Sequence, residues 1–246
     1  MAGRIVVVTG SSRGIGRSVA IAFAARGDRV VVNSRSDTRG GAELVREIES
    51  AGGQAVYVQA DVGEPSAVEY LFDEVRSAFG PVDVLVNNAG LTVGAPFLEA
   101  TAEHWLEMIR VNFLSTVFCA TRAAKEMAGR NGVIINTSSV RGFDANGREG
   151  VMAYSAAKAA VNNFTRTLAK DLAPEVRVNA VAPGFVATSY MDRVTTEQKE
   201  GWLEAIPLRE FIDPAQIADA YLFIADSPYL TGTILSADAG FTLGRG

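Results

Sequence analysis

The sequence predicts an α/β fold: a doubly wound, seven-stranded parallel sheet with helices on both faces. Three observations predict it. Short β-branched runs alternate with longer segments of helical periodicity along the whole chain. Most of those runs are continuously apolar, as parallel strands covered on both faces must be. The first run passes into a glycine-rich turn and then a helix, in RIVVVTGSSRGIG.

Strands are predicted at Ile5–Thr9, Val30–Asn33, Ala55–Gln59, Val82–Asn87, Val133–Thr137, Val176–Val181 and Thr233–Ser236. Between them lie predicted helices at Gly14–Ala25, Gly41–Ala51, Ser66–Phe79, Ala102–Ala128, Ala153–Leu172 and Pro214–Ala225. In the first helix Ile15, Val19, Ala20 and Phe23 make the apolar stripe. No linker, repeat or low-complexity tract divides residues 1–246, so one domain is expected. Between Ser189 and Phe211 the pattern loosens, with charges mixed among Met191, Trp202, Leu203 and Phe211. That stretch follows the C-terminal end of a strand, where open α/β sheets bind ligands, and reads as a substrate lid.

Composition narrows the function. The 246 residues are 48% hydrophobic, enough for a large core, and the net charge of −5 without a basic stripe argues against nucleic acid. Apolar runs stay far short of the ~18 residues of a membrane helix. The N-terminus has no signal-peptide pattern. With one cysteine, Cys119, and one histidine, His104, neither a disulfide nor a metal site is expected. A cytoplasmic protein, with no membrane partner, is the expectation.

The glycine turn is built for an anion. Gly10, Gly14 and Gly16 allow close backbone approach, and the amides at the following helix N-terminus face a phosphate. Gly10, Ser12, Arg13, Gly14, Ile15 and Gly16 are therefore candidate cofactor contacts, although G-x-x-x-G-x-G is not the usual dinucleotide spacing. The second strand ends in Asn33-Ser34-Arg35, about twenty residues on, where an adenosine ribose is read. No acidic residue stands at that strand end; Asp37 follows shortly. Arg35 and Arg13 can meet a 2′-phosphate, and Ser34 and Asn33 can donate to it, so NADP(H) is preferred, with NAD(H) possible. Asp61-Val62 follows the third strand, placed for an adenine edge. Asn88, Ala89 and Gly90 end the fourth, where small residues let backbone reach a ribose.

Tyr154 and Lys158, four apart in AYSAAKAAV, share one face of a helix. A phenol beside a fixed ammonium ionises more easily, so the pair is expected to pass a proton near neutral pH. With a hydride-bearing cofactor, this is carbonyl reduction or alcohol oxidation. Gly10-Ser11-Ser12-Arg13-Gly14 also matches a G-x-S-x-G nucleophile elbow, but His104 would be the only base for a serine hydrolase. A dinucleotide-binding sensor without chemistry is the other rival.

These residues resemble the short-chain dehydrogenase/reductase family over nearly the whole chain. The resemblance lies in T9-G-S-S-R-G-I-G16, Asp61-Val62, N87-N-A-G90, Asn112 in RVNFLSTVF, Ser138-Ser139, Y154-S-A-A-K158, and Pro183-Gly184 with Thr188. Within the family the chain looks most like the 3-oxoacyl-[acyl-carrier-protein] reductase-like group. The resemblance implies a single-domain Rossmann fold and a catalytic set of Asn112, Ser139, Tyr154 and Lys158. Tyr154 would be the acid or base, and Lys158 would lower its pKa and hold the nicotinamide ribose. Ser139 would hold the substrate oxygen, and Asn112 a water in the proton path. Pro183, Gly184, Val186 and Thr188 would border the nicotinamide carboxamide. The loop GFDANGREGVM is longer than the family pattern, and Asp238-Ala239-Gly240 replaces its Asp-Gly-Gly.

Carrier-protein reductases of the family grip their acidic carrier with two arginines. Arg130 stands at the first place, but Ala173-Pro174-Glu175 occupies the second, which argues against a carrier partner. Candidate substrate-pocket residues are Val93, Arg141, Phe143, Met152, Phe185, Met191 and Trp202. A homotetramer is expected, from the resemblance and from the broad apolar face of Ala156, Ala157, Ala160, Val161 and Phe164.

Overall fold

The computed structural model describes residues 3–144 and 146–243; Ala145, in the loop GFDANGREGVM, lies outside them. Seven parallel strands form one sheet: β1 (Ile5–Val8), β2 (Arg29–Ser34), β3 (Gln54–Gln59), β4 (Val84–Asn87), β5 (Gly132–Thr137), β6 (Val176–Pro183) and β7 (Ile234–Ala237). Their spatial order is β3-β2-β1-β4-β5-β6-β7, so the winding reverses between β1 and β4. A crevice opens at such a switch point, beyond the C-terminal strand ends.

The helices are α1 (Gly14–Ala25), α2 (Thr38–Ser50), α3 (Pro65–Ala78), α4 (Ala102–Ile109), α5 (Ser115–Met127), α6 (Met152–Leu172), α7 (Thr196–Ala205) and α8 (Pro214–Asp226). Alternation along the strands divides the core in two. Val6, Val8, Val30 and Val32 pack with Phe23 of α1, Leu44 of α2 and Tyr221 of α8. Ile5, Val7 and Val31 point the other way, to Phe72 of α3, Met127 of α5 and Ala169 of α6. Strands β1, β4 and β5 are buried along their whole length, which is why they read as nearly unbroken apolar runs.

Two expectations are corrected. The single helix expected over Ala102–Ala128 is interrupted by a π-turn at Arg110–Leu114. The loosened stretch contains a regular helix, α7, started by a capping box between Thr195 and Gln198. None of the described α7 side chains is buried, so the helix has no strong apolar period to betray it. No helix among the described residues is long and apolar enough to cross a membrane.

Candidate active site

The crevice is a cleft of about 580 Å³ running across the C-terminal ends of β1 to β6, a volume in the range of small-molecule sites. Its cofactor end is shaped by backbone. Gly10 and Gly14 adopt φ of 62° and 59°, a region side chains disfavour. A methyl on Gly10 would also lie 2.8 Å from the Cα of Ala89. Helix α1 has neither a side-chain cap nor an acidic residue in its first turn, so its first amides stay available to an anion. Ser11, fully buried, donates to the Val8 carbonyl at 2.6 Å and accepts from the Asn33 amide at 3.0 Å. Asn88 ties the turn to β4 by donating from Nδ2 to the Thr9 and Gly10 carbonyls at 3.0 and 3.1 Å. A diphosphate-bearing dinucleotide fits this cradle, which a Cβ would obstruct.

All the predicted catalytic and cofactor-binding residues line the cleft except Gly16. A methyl there would meet Asn88 Nδ2 at 2.4 Å and the Gly10 carbonyl at 2.7 Å, so Gly16 lets α1 pack against its own turn. Asn33 is corrected in role. Its Nδ2 donates to the Val58 and Ala60 carbonyls at 3.1 Å, while Oδ1 accepts from the Gly10 amide at 3.2 Å. Both amide protons are thus held by the fold, and Asn33 has none left for a ligand phosphate. Asp37 turns to cap α2, accepting from the Gly40 amide at 3.1 Å. Arg35 makes an exposed ion pair with Glu107 at 3.3 Å, and Asp61 accepts from Arg110 at 3.2 Å.

At the other end of the cleft, the π-turn sets Asn112 in place. Its Nδ2 takes the Met108 carbonyl at 3.0 Å, the acceptor its own backbone amide would use in an α-helix. Ser115 shows the same exchange: its amide bonds to the Arg110 carbonyl, and its hydroxyl takes the Val111 carbonyl at 2.7 Å. Two polar side chains thus satisfy the carbonyls that the extra residue strands. Asn112 Oδ1 accepts from the Leu91 amide at 3.0 Å. A methyl on Gly90 would lie 2.8 Å from that oxygen and 3.6 Å from Lys158 Nζ, so the three groups meet at one point.

Lys158 is almost fully buried and donates to the Thr137 carbonyl at 2.8 Å; its Nζ lies 5.7 Å from the Tyr154 ring centre. Burial pulls the lysine pKa down to about 8. The expectation of an easily ionised phenol is corrected: burial raises the Tyr154 pKa. Hydrogen bonds with Ser139 and Thr92 and the charge of Arg141 offset this only in part. The ammonium points to a backbone carbonyl, so desolvation wins. A protonated phenol at neutral pH is a proton donor. Ser138 is not the hydroxyl in question. It is engaged with Asn162 and the Lys158 carbonyl, whereas Ser139 accepts from the Arg141 amide at 3.1 Å and faces Tyr154.

The substrate end is aromatic. Phe185 packs on Trp202 at 4.8 Å and edge-on to Phe241 at 5.1 Å. Val93, Arg141, Phe185, Met191 and Trp202 line the cleft as expected, but Phe143 and Met152 do not. Met152 lies two residues before Tyr154 on α6, and so on a different face; Phe143 follows the tight turn Val140–Gly142 out of the cleft. Thr92 and Arg148 were not anticipated. Thr92 stands two residues past Gly90, a position that the fourth strand's end pointed to. Arg148 lies in an irregular loop with no periodic signal. Ser12 borders the cleft but His104 does not, which removes the base that a serine hydrolase needs. The Cys119 thiol is buried, and burial pushes its pKa up, so it takes no part. Among the described residues no three of His, Cys, Asp and Glu gather to hold a metal.

Known proteins resemble the chain over nearly its whole length. The sequence model of the family described as enoyl-(acyl carrier protein) reductase matches residues 10–242. A 3-oxoacyl-[acyl-carrier-protein] reductase of Synechocystis sp. is 39% identical over 98% of this chain and 97% of its own. A 3beta-hydroxysteroid dehydrogenase 1 of Eggerthella lenta is 40% identical over 98% of this chain and 94% of its own. A crystal structure of a dehydrogenase/reductase from Sinorhizobium meliloti 1021 superimposes with a TM-score of 0.92 at 33% identity, covering 98% and 96% of the two chains. From glycine turn to tyrosine helix, the chain belongs to the short-chain dehydrogenase/reductase family of NAD(P)-dependent oxidoreductases.

Proposed function

We propose that the protein is an NADP(H)-preferring oxidoreductase that interconverts a small carbonyl compound and its alcohol, with Tyr154, Lys158, Ser139 and Asn112 as its catalytic set. The observation that carries this is the meeting of those four side chains at one end of a glycine-lined cleft. NADPH held by the glycine turn would supply the hydride for the carbonyl carbon. Tyr154 donates its phenolic proton to the carbonyl oxygen, and Ser139 hydrogen-bonds the same oxygen as negative charge develops. Lys158 holds the nicotinamide ribose and returns a proton toward Tyr154, with Asn112 helping to hold the water that supplies it. Pro183, Gly184, Val186 and Thr188 border the nicotinamide carboxamide. In the oxidation direction the same steps run backwards, with the phenolate as base.

The preference for NADP(H) rests on charge. Arg13 has no ion-pair partner among the described residues, and Arg35 has only an exposed one. Asp37, the first carboxylate after the second strand in the sequence, caps α2. A 2′-phosphate therefore meets two available guanidinium groups. The whole chain works as one dinucleotide-binding unit, with residues 189–211 as its lid; Tyr190, Met191 and Trp202 from that stretch line the cleft.

The substrate is a free ketone or a 3-oxoacyl thioester taken without a carrier protein. Arg130 is paired with Asp83 at 2.7 Å, and Glu175 accepts from the Gly129 amide, so that surface offers an acidic carrier no free pair of cations. The chain assembles as a homotetramer through the π-turn helix and α6. Phe113 and Phe164, edge to face at 5.9 Å and still partly exposed, form an apolar seam between them.

Tyr154→Phe tests the reading. Turnover should fall by about 1,000-fold or more, with NADPH affinity within about threefold of the parent. Retained turnover would remove Tyr154 from the chemistry, and lost NADPH binding would make the tyrosine a cofactor contact alone.

A further inference from the structure

Two arginines at the substrate end have no part in the chemistry above. Arg141 lies over the rings of Phe185 and Phe241, at 5.3 and 5.0 Å, and donates to the Asn146 carbonyl at 3.1 Å. Arg148 lies over the Trp202 ring at 5.6 Å. Both line the cleft. Neither forms an ion pair with a carboxylate among the described residues, unlike Arg35 and Arg110 at the cofactor end.

Like charges here are set close together and partly withdrawn from water. Arg141 is partly buried, and its pKa is lowered first by that burial and then by the charge of Arg148. The other ionisable groups acting on it are Tyr154 and Tyr190, both phenols. Ring faces attract a cation but do not neutralise it. Such an arrangement is relieved by an anion that both guanidinium groups can grip. The charge of Arg141 also acts on the Tyr154 hydroxyl, so an anion held there lies on the reacting centre's side of the cleft.

We propose that the physiological substrate is a keto acid or hydroxy acid, its carboxylate held by Arg141 and Arg148 while its carbonyl or hydroxyl carbon lies at Tyr154. This deepens the function proposed above and rests on its placement of the reacting carbon. The flat walls of Phe185 and Trp202 then take the intervening carbons, and the two arginines determine specificity without touching the reacting atoms.

The test separates binding from chemistry. Tyr154→Phe saturated with NADPH is titrated calorimetrically with 2-, 3-, 4- and 5-oxo acids and with their methyl esters. In at least one chain length the acid should bind about tenfold or more tightly than its ester. Adding Arg141→Met or Arg148→Met should bring that ratio to within about twofold, and Arg141→Lys should keep part of it. NADPH affinity, read by nicotinamide fluorescence, should be unchanged and reports that each variant is folded. Esters binding as well as acids at every length, or both falling equally in the arginine variants, would overturn the proposal. An error in the assignment of Tyr154 would show instead as retained turnover in the single variant.

Discussion

The two ends of the cleft are built on different principles. At the cofactor end the buried polar side chains are committed to the protein. Ser11, Asn33, Asn88 and Thr9 bond to backbone, so a diphosphate is left main-chain amide and the absence of Cβ atoms, with Arg13 and Arg35 the charged side chains beside them. At the substrate end the polar groups are long side chains lying on aromatic faces, contributed by loops and by a helix with no buried residues. The first end is rigid because its geometry is the fold's geometry. The second can change its side chains without disturbing the sheet. That difference explains how one architecture keeps its cofactor and varies its substrate.

A pair of substitutions should expose the contrast most strongly. Gly10→Ala puts a methyl 2.8 Å from the Ala89 Cα, in a backbone conformation side chains disfavour. NADPH affinity should drop by about 100-fold or more, with about 2 kcal/mol of stability lost. Trp202→Ala removes a partly buried ring that packs on Phe185 and lies under Arg148. It should raise KM by about tenfold, leave NADPH affinity within about twofold, and change stability by less than about 1 kcal/mol. Equal effects on cofactor affinity would mean the two ends are one mechanical unit.

The same contrast governed what could be read from the chain. Gly10, Gly14 and Asn88-Ala89-Gly90 were legible because close backbone approach excludes other residues, and each sits where a valine run ends. The strands were legible because a sheet covered on both faces leaves them no polar alternation. Tyr154 and Lys158 were legible as a spacing; the environment that raises the phenol's pKa was not, since burial is a property of the packed cleft. The π-turn was hidden because RVNFLS has ordinary helical composition, and only the side-chain bonds of Asn112 and Ser115 reveal it. Arg148 comes to the cleft from an irregular segment, where no periodicity links a residue to a direction. Helix α7 was missed for the same reason.

Cofactor choice sharpens the comparison at intermediate size. Arg35→Asp exchanges the cation at the second strand's end for a carboxylate, which repels a 2′-phosphate and accepts from a free 2′-hydroxyl. The ratio of kcat/KM for NADPH over NADH should fall by about 30-fold, and the substrate KM should stay within about twofold. Because Arg35 is exposed and holds only Glu107, thermal stability should not change measurably. An unaltered ratio would remove the 2′-phosphate from the argument.

A pH-dependent effect on stability falls where the two ends meet, at Lys158. Its ammonium is held in a dry site against the Thr137 carbonyl, and its pKa of about 8 lies below the ordinary 10.5. The folded protein therefore binds fewer protons than the unfolded chain between those two values. Stability should rise with pH across that window, and below about pH 8 the full cost of the buried charge is present. Lys158→Met removes the cost and also the bond to Thr137, so a net gain of about 1–2 kcal/mol is expected at pH 7, alongside loss of turnover. The gain over the parent should shrink by about 1.4 kcal/mol per pH unit as pH climbs above about 8, and turn into a loss before pH 10.5, where the parent keeps its bond to Thr137 without the charge. Urea unfolding of both proteins at pH 7, 8.5 and 10 measures it. A variant less stable than the parent at pH 7, or a difference flat with pH, would show that the lysine is held comfortably. The cleft's junction would then carry no stored electrostatic cost.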